Sequence, residues 1–354
     1  MNNSPKGLRE AGAARRVAAF VVLLAALALA PACSTKKKVS VPPLLQADAR
    51  ADAAALFAEI DRAAAVRSLR GRVDVQFLDT SFAECGLVDK YRTTEGTVIL
   101  QRPGQVYLSI QFFSVKIAEM TSDGERFRVA VYQGDEKFKR FVMGTNTAEY
   151  ERITEDGGTD AAGQPNCGRN ENERQEAAMR RTVSSLSSLR PQHLTDALLV
   201  RPAQREGSNL IYGVSESFEE EADTRPGAKS GARVVRPYYV MVEIEPQGPN
   251  AGRVLRRFWF DRVGALRLAR VQNYNGGGAL ITDVVYRDPR PFGEGGRYQL
   301  PALVELTRPQ ERYSLRIAFQ SPDEATIDRA WGNETFVLQN TSNLPEFDLD
   351  KRNP

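Results

Sequence analysis

The chain has 354 residues, of which 42% are hydrophobic and 26% charged, and it carries 48 basic and 45 acidic side chains. Four of the basic residues and one acidic residue lie in the first 32 positions, so the rest of the chain balances 44 basic against 44 acidic side chains (48 less four, 45 less one). The excess of basic residues thus belongs to the first 32 positions and does not indicate nucleic-acid binding, and we expect no nucleic acid partner.

Residues 1–32 have the three-part layout of a secretory signal peptide. Basic side chains between Lys6 and Arg16 precede a nearly unbroken apolar run, Val17 to Ala30, and small residues stand directly before Cys33. A membrane-spanning helix needs about 20 apolar residues, and this run is shorter. The layout therefore predicts a signal that is removed during export.

Cys33 stands where a bacterial lipobox has its cysteine, whose thiol receives a diacylglycerol and becomes the new N-terminus. The position three residues earlier is Ala30, where a lipobox usually has leucine, so plain secretion by cleavage near Ala32 stays open as the alternative. Residues 33–44, which include STKKKVSVPP, show no apolar period and are predicted to form a tether.

Two cysteines remain after the signal, Cys85 and Cys167, each in a polar stretch that is typical of a loop. An even number of cysteines in an exported chain permits one disulfide. Two unrelated free thiols are the alternative.

Apolar residues recur at helical spacing from about residue 45 to 65, and the period then changes to two. Alternation in RVDVQFL, QVYLSIQF, FRVAV, YYVMVEI and YSLRIAF predicts strands that each have one apolar face, for example Tyr238, Val240, Val242 and Ile244 in YYVMVEI. Further strands are predicted near 94–101, 137–143, 209–215, 254–260, 265–274, 280–286, 302–307 and 335–339.

A second helical region is predicted between about Glu171 and Val200, and polar insertions near 152–172 and 217–236. No linker divides the chain, so residues 45–345 are predicted to form a single domain, followed by a tail at 346–354. The predicted fold class is α+β and mostly antiparallel β, with helices packed on the apolar face of one sheet.

The sequence contains no enzyme signature. The single histidine, His193, has no serine or cysteine elbow beside it and is predicted to lie at the surface or at a helix start. Zinc binding by Cys85, Cys167 and His193 would lack paired ligand spacing such as CxxC. We therefore expect neither catalysis, nor a cofactor, nor a bound metal.

Several motifs resemble those of the bacterial lipoprotein-sorting (Lol) carriers and receptors. GTVILQRPG at 96–104 resembles their early hairpin, and the turn at Ser122–Glu125 before FRVAVYQ resembles the next one. FWFD at 258–261, YRD at 286–288 and Leu300-Pro301 resemble the second half of the pattern. The resemblance covers roughly residues 50–340, and its motifs are structural.

The resemblance implies an incomplete, curved antiparallel barrel, a half-barrel closed over by helices, whose apolar cavity receives acyl chains. It also implies a lipid-anchored protein at the outer membrane that faces the periplasm, since Ser34 rather than aspartate follows Cys33. The partners would be lipid or the acyl chains of lipoproteins. A scaffold or regulatory lipoprotein that binds an envelope protein with the same fold is the alternative.

The strands with a period of two supply the candidates for the cavity lining. Alternation places each set of side chains on one face, and we expect these to point inwards. The predicted cavity-lining residues are Val106, Leu108, Ile110, Leu315, Ile317 and Phe319.

Overall fold

The segments with alternating apolar residues form the strands of one large sheet, as a period of two predicts. The structure is a computed structural model that describes residues 41–79, 89–90, 93–133, 139–148 and 191–351. All elements within these residues lie in one compact unit, Pro43–Pro354.

The strands are, in chain order, β1 (Ser68–Asp79), β2 (Asp89–Lys90), β3 (Thr94–Gln101), β4 (Gln105–Phe112), β5 (Val115–Asp123), β6 (Arg126–Val131), β7 (Arg140–Thr145), β8 (Ile211–Ala222), β9 (Arg233–Gly248), β10 (Ala251–Asp261), β11 (Arg267–Tyr274), β12 (Leu280–Phe292), β13 (Tyr298–Arg308), β14 (Tyr313–Phe319), β15 (Thr326–Ile327) and β16 (Glu346–Asp348). The α-helices are α1 (Ala53–Ala64) and α2 (Pro191–Leu198), and short 3-10 helices lie at Glu294–Gly296, Pro322–Glu324 and Asn333–Phe336.

Two antiparallel meanders meet at β1. The spatial order is β16-β7-β6-β5-β4-β3-β1-β14-β13-β12-β11-β10-β9-β8, and β2 and β15 also pair with β1. Among the strand pairs of the described residues only that of β16 with β7 is parallel, and an isolated bridge between Leu44 and Val235 is also parallel. Within the described residues the two end strands, β16 and β8, do not pair with each other, so this mostly antiparallel sheet is open.

Two rows of buried apolar residues cross one face of the sheet, one from β7 to β3 and one from β14 to β9, because the strand register places these residues directly opposite one another. The members of these two rows are each at most 5% exposed. They are Val142, Val129, Met120, Leu108 and Val98 in the first meander, and Leu315, Leu306, Val284, Val271, Phe258 and Met241 in the second.

The helix α1 covers the second meander. Asp52 caps it by accepting a hydrogen bond from the Ala55 backbone N–H at 2.9 Å. Leu56 and Ile60, one turn apart, are fully buried against the apolar side chains of β9, β10 and β11. The short helix α2 buries Leu194 in the other main cluster and lies against β4, β5 and β13.

The alternating residues predicted for YYVMVEI share one face of β9, but the helix α1 covers the other face. The helix-covered face of β9 carries Tyr239 and Met241, whereas Tyr238 and Val240 pack with Trp259 in a small cluster on the opposite face. The strand is apolar on both sides, so periodicity alone could not select the buried face.

Three segment boundaries differ from the sequence-based prediction. The 335–339 segment begins in the 3-10 helix at Asn333–Phe336 and is not a strand. Half of the predicted 217–236 insertion belongs to β8 and β9, and the other half forms the hairpin loop between them. The sheet also extends into the predicted tail, because β16 pairs with β7 and Leu349 is buried. Neither α-helix of the described residues is long and apolar enough to cross a membrane.

Candidate functional site

The sheet divides between two neighbouring strands, β11 and β12. Their pairing runs from Tyr274 opposite Leu280 as far as Arg270 opposite Val285. Beyond this point β11 pairs only with β10, through Leu268 and Arg267, while β12 continues with β13 as far as Phe292. The two strands therefore separate and leave an opening in the sheet, called the β11–β12 opening below.

Prolines explain why β12 can lose its neighbour here. Pro289 and Pro291 lie in the part of β12 beyond the last pair with β11, and Pro289 stands opposite Pro301 of β13. Proline has no N–H to donate to a ladder and is confined to strand edges. The motif YRDPRPF at 286–292 is thus the sequence signal that could have revealed the opening.

A cavity of about 800 Å³ lies at the β11–β12 opening. It takes side chains from both faces of the sheet, since Leu268 belongs to the cluster under α1 and Trp259 to the cluster on the opposite face. The lining is mixed. Its charged side chains include Glu219, Glu220 and Glu221 of β8, and its apolar side chains include Trp259, Ala265, Leu266, Leu268, Ala269, Val285, Pro289, Leu300 and Pro301.

The last turn of α1 bounds the cavity on the inner side. The buried carboxylate of Glu59 accepts a hydrogen bond from the Leu268 backbone N–H at 3.0 Å and binds the guanidinium of Arg62 at 2.6 and 2.9 Å. Hydrogen bonding to Glu59 raises the pKa of Arg62. Nearby, burial raises the pKa of Tyr286, whose hydroxyl donates to the Ala197 carbonyl oxygen at 2.9 Å.

A network of ion pairs bounds the cavity on the outer side. Asp261 accepts from Arg236 at 3.0 Å and from Arg267 at 3.2 Å, and Arg236 also binds Glu221. Burial opposes the charge of Arg236, but the carboxylates of Asp261 and Glu221 outweigh it and raise its pKa. Burial, followed by the charge of Glu221, raises the pKa of Tyr238. The charges of Arg236, Asp261 and Glu221 are therefore compensated by one another.

On the outer side of the cavity, the guanidinium of Arg270 lies over an aromatic ring. Its guanidinium carbon lies 5.4 Å from the centre of the Trp259 ring, and its Nε donates to Asp283 at 2.6 Å. The hydrogen bond to Asp283 raises the pKa of Arg270. The indole N–H of Trp259 donates to Gln272 at 2.9 Å, so the polar atom of this side chain is satisfied and its ring is left for apolar contact.

The six predicted cavity-lining residues lie together on the apolar face, in the cluster that contains Leu194 and Ala197 of α2. None is more than 8% exposed, and the cavity at the β11–β12 opening has a different lining. Sequence reasoning missed the residues around this opening, and the role proposed for Leu108 and its neighbours stays a prediction.

His193 lies in the first turn of α2, at the predicted helix start, and it is buried, which corrects the surface alternative. Its Nδ1 is 3.1 Å from the hydroxyl of Tyr313. Cys33, Cys85 and Cys167 lie outside the described residues, as does most of the second predicted helical region. Within the described ranges no group of three or more His, Cys, Asp and Glu side chains could hold a metal ion.

A second exposed apolar feature lies at the tip of the β4–β5 hairpin. Phe112, Phe113 and Val115 are 40%, 81% and 52% exposed, and the two phenylalanine rings meet edge to face at 4.6 Å. Phe113 has φ 53, a left-handed conformation that is unfavourable for a bulky residue. The hairpin thus presents two large rings to solvent.

No protein-family model matches the chain, and no curated protein matches it. Among solved structures, a DUF1329 family protein from Desulfovibrio piger is similar with a TM-score of 0.37 and 11% identity, over 82% of this chain and 96% of that one. A LolA superfamily protein from Nitrosomonas europaea is similar with a TM-score of 0.36 and 9% identity, over 82% and 99% of the two chains. An outer membrane lipoprotein-sorting protein domain from Vibrio parahaemolyticus is similar with a TM-score of 0.32 and 13% identity, over 78% and 91%. The structural neighbours of this chain thus include LolA superfamily and outer membrane lipoprotein-sorting proteins together with a DUF1329 protein.

Proposed function

We propose that this protein binds the acyl chains of lipids or lipoproteins in the cavity at the β11–β12 opening, and that it does so without catalysis. The observation that carries the proposal is this cavity, whose apolar lining comes from both faces of one sheet. Its volume of about 800 Å³ lies in the range of about 300–1,000 Å³ that is usual for ligand sites.

The ion pairs around the opening are compatible with an apolar ligand. An acyl chain gains about 0.8 kcal/mol for each buried CH₂ group, provided that it does not strip water from an unpaired charge. Arg62, Arg236 and Arg270 each bind a carboxylate at the rim, so a chain inserted between them leaves these ion pairs intact.

The contacts of α2 support a half-barrel that is closed over by helices. β4 and β13 stand four places apart in the sheet, which is about 19 Å if the sheet is flat. A helix is only about 10–12 Å wide, yet α2 lies against both strands. Curvature of the sheet around α2 explains this, and the Lol-like sequence motifs imply the same architecture.

The N-terminus and the hairpin tip suit a protein that works at a membrane surface. We propose that Cys33 carries a diacylglyceryl group and anchors the chain in the outer membrane, facing the periplasm. One acyl chain gives only marginal binding and two hold firmly, so Cys33→Ser is expected to move the protein from the membrane to the soluble fraction. Independently of the anchor, the exposed rings of Phe112 and Phe113 are large apolar side chains that suit contact with lipid.

We also propose a disulfide between Cys85 and Cys167. Closing a loop of about 80 residues would stabilise the fold by roughly 4 kcal/mol in the chain-entropy model. Peptide mapping without reduction detects the bridged peptides, whereas two separately alkylatable thiols in protein from the periplasm would rule the bridge out.

The proposed binding of acyl chains is tested by a substitution that fills the cavity. Purified protein is extracted with organic solvent for mass spectrometry and titrated with a fluorescent fatty acid. Ala265→Trp places a large ring in a loop that lines the cavity, and we expect at least about tenfold weaker binding of the probe, because the ring takes up the space of the chain. Ala251→Trp is the matched control, since Ala251 is an exposed residue at the other end of β10. A lipid-free extract together with no binding of the probe by the wild-type protein would contradict the proposal.

A further inference from the structure

The strand β8 is a long free edge of the sheet. Among the described residues it pairs only with β9, and the register is unbroken from Ile211 opposite Ile244 to Ala222 opposite Arg233. The opposite edge of the sheet is the three-residue strand β16. A strand without a neighbour presents a row of N–H and C=O groups that can pair with another chain.

The strand lacks the usual protection of such edges. It contains neither lysine nor proline, and no bulge interrupts its pairing with β9. Large apolar side chains are exposed along it instead, since Ile211, Val214 and Phe218 are 56%, 45% and 54% exposed. A twelve-residue edge with these side chains is suited to docking.

The charge of β8 has one sign. The strand carries four carboxylates, Glu216 and Glu219–Glu221, and no basic residue. Arginines of the strands and loop behind it bind Glu216, Glu220 and Glu221. Glu219 accepts a hydrogen bond from the Ser217 hydroxyl at 3.2 Å and interacts electrostatically with Arg270. A strand added to this edge would place its side chains about 5 Å from these carboxylates.

A groove accompanies the inner face of the same edge. It has a volume of about 670 Å³ and lies between Glu216 on β8 and the start of α1, with Tyr239 and Arg262 in its wall. Side chains from an added strand that point to the inner face would lie near this groove, next to Val214 and Phe218.

We propose that the free edge of β8 accepts an extended segment of a partner protein, in which basic residues alternate with apolar ones, as an additional strand. Main-chain hydrogen bonds supply the affinity of this kind of docking, and the alternating side chains supply the specificity. The docking site uses the main-chain edge of β8, but Glu219, Glu220 and Glu221 also line the cavity at the β11–β12 opening, so the peptide is tested on delipidated protein.

The test uses a fluorescent peptide of alternating lysine and valine with the mature wild-type protein. We expect binding by fluorescence anisotropy that weakens as salt is raised, because opposite charges on the two strands attract. The same peptide with N-methyl groups on alternate residues keeps its charge but cannot pair along a strand, and it is expected to bind at least about tenfold more weakly. An alternating glutamate and valine peptide is expected not to bind.

The double variant Glu219→Lys/Glu220→Lys locates the site. It reverses two charges on the edge, and we expect at least about tenfold weaker binding of the basic peptide. Glu95→Lys is the matched control, since Glu95 is an exposed residue of the interior strand β3, and it is expected to bind as the wild type does.

The peptide pair gives an answer on unmodified protein, so it holds even where a variant folds poorly. Failure of the basic peptide to bind would overturn the proposal. So would equal binding of the N-methylated peptide, which would mean attraction without strand pairing. Light scattering could show a dimer of this chain that the double variant dissociates and that does not bind the peptide. The edge would then pair with a second copy, and the proposal would be overturned.

Discussion

Arg62 joins Gln299 across the β11–β12 opening: its Nη1 donates to the Gln299 carbonyl oxygen at 2.7 Å. The other guanidinium nitrogens hold Glu59, which in turn accepts from the Leu268 backbone N–H. Gln299 belongs to β13 and Leu268 to β11. The last turn of α1 therefore connects the two sides of the opening.

This connection is expected to slow the uptake of ligand. Arg62→Lys keeps a positive charge beside Glu59 but loses the planar fork that reaches both partners. A hydrogen bond contributes about 0.5–1.5 kcal/mol, so we expect the fluorescent fatty acid to associate roughly threefold to tenfold faster, measured by stopped flow. Arg205→Lys is the control, because Arg205 binds Asp61 of α1 at 2.6 Å without lining the cavity. Equal rates in all three proteins would exclude a role for the connection.

Leu108→Phe tests the predicted cavity-lining role of Leu108. This side chain is 1% exposed within the main apolar cluster, where a larger ring would overfill the space. We expect a loss of about 1–3 kcal/mol in the free energy of unfolding, with unchanged affinity of the folded protein for the acyl probe. A thermal melt and a probe titration on the same sample measure both. Weaker affinity without any loss of stability would support the cavity-lining role instead.

The pH dependence of stability is expected to involve Glu119 on β5. This buried carboxylate accepts hydrogen bonds from Tyr132 at 2.7 Å, Tyr107 at 2.9 Å and Lys116 at 2.7 Å. Burial favours the protonated form, but these donors outweigh burial and lower the pKa of Glu119 below its ordinary value of 4.5. The folded state then binds fewer protons than the unfolded state, so the stabilisation is complete above pH 4.5 and is lost as the pH falls through the lowered pKa.

Glu119→Gln should therefore flatten the acid side of the stability curve. At neutral pH we expect a loss of about 1–3 kcal/mol, since hydrogen bonds to the charged carboxylate are weakened. Urea unfolding at several pH values measures both effects. Glu125→Gln changes an exposed carboxylate next to the same strand and is the control. An unchanged pH profile in Glu119→Gln would show that this carboxylate is not responsible.

We expect that only glycine fits at position 96, because the backbones of β3 and β4 lie close together there. A Cβ at this position would lie 2.6 Å from the carbonyl oxygen of Ser109 on β4. Gly96→Ala should therefore cost about 1–3 kcal/mol in the free energy of unfolding. A Cβ at Gly213 of β8 would meet nothing within 4 Å, so Gly213→Ala is expected to be neutral or slightly stabilising. Similar melting temperatures for the two variants would contradict this explanation of the GTVILQRPG motif.

The sequence by itself determined most of the strands. It also determined the buried face of those strands in which apolar and polar residues alternate. In QVYLSIQF the residues between Val106, Leu108 and Ile110 are Tyr107 and Ser109, so only one face can be buried at low cost. The mostly antiparallel class and the position of α1 followed from the same periodicities.

Only the tertiary structure decided which faces and neighbours were used elsewhere. YYVMV and FWF are apolar on both sides, and the cover supplied by α1 selects Met241 and Phe258, while Tyr238 and Trp259 pack together on the other face. The β11–β12 opening depends on the separation of two strands and on a helix more than 200 positions away in the chain, as the Glu59 bond to Leu268 illustrates. Periodicity is a property of one segment, whereas a cavity is formed by the segments that fold around it, and their arrangement is fixed by packing over the whole domain.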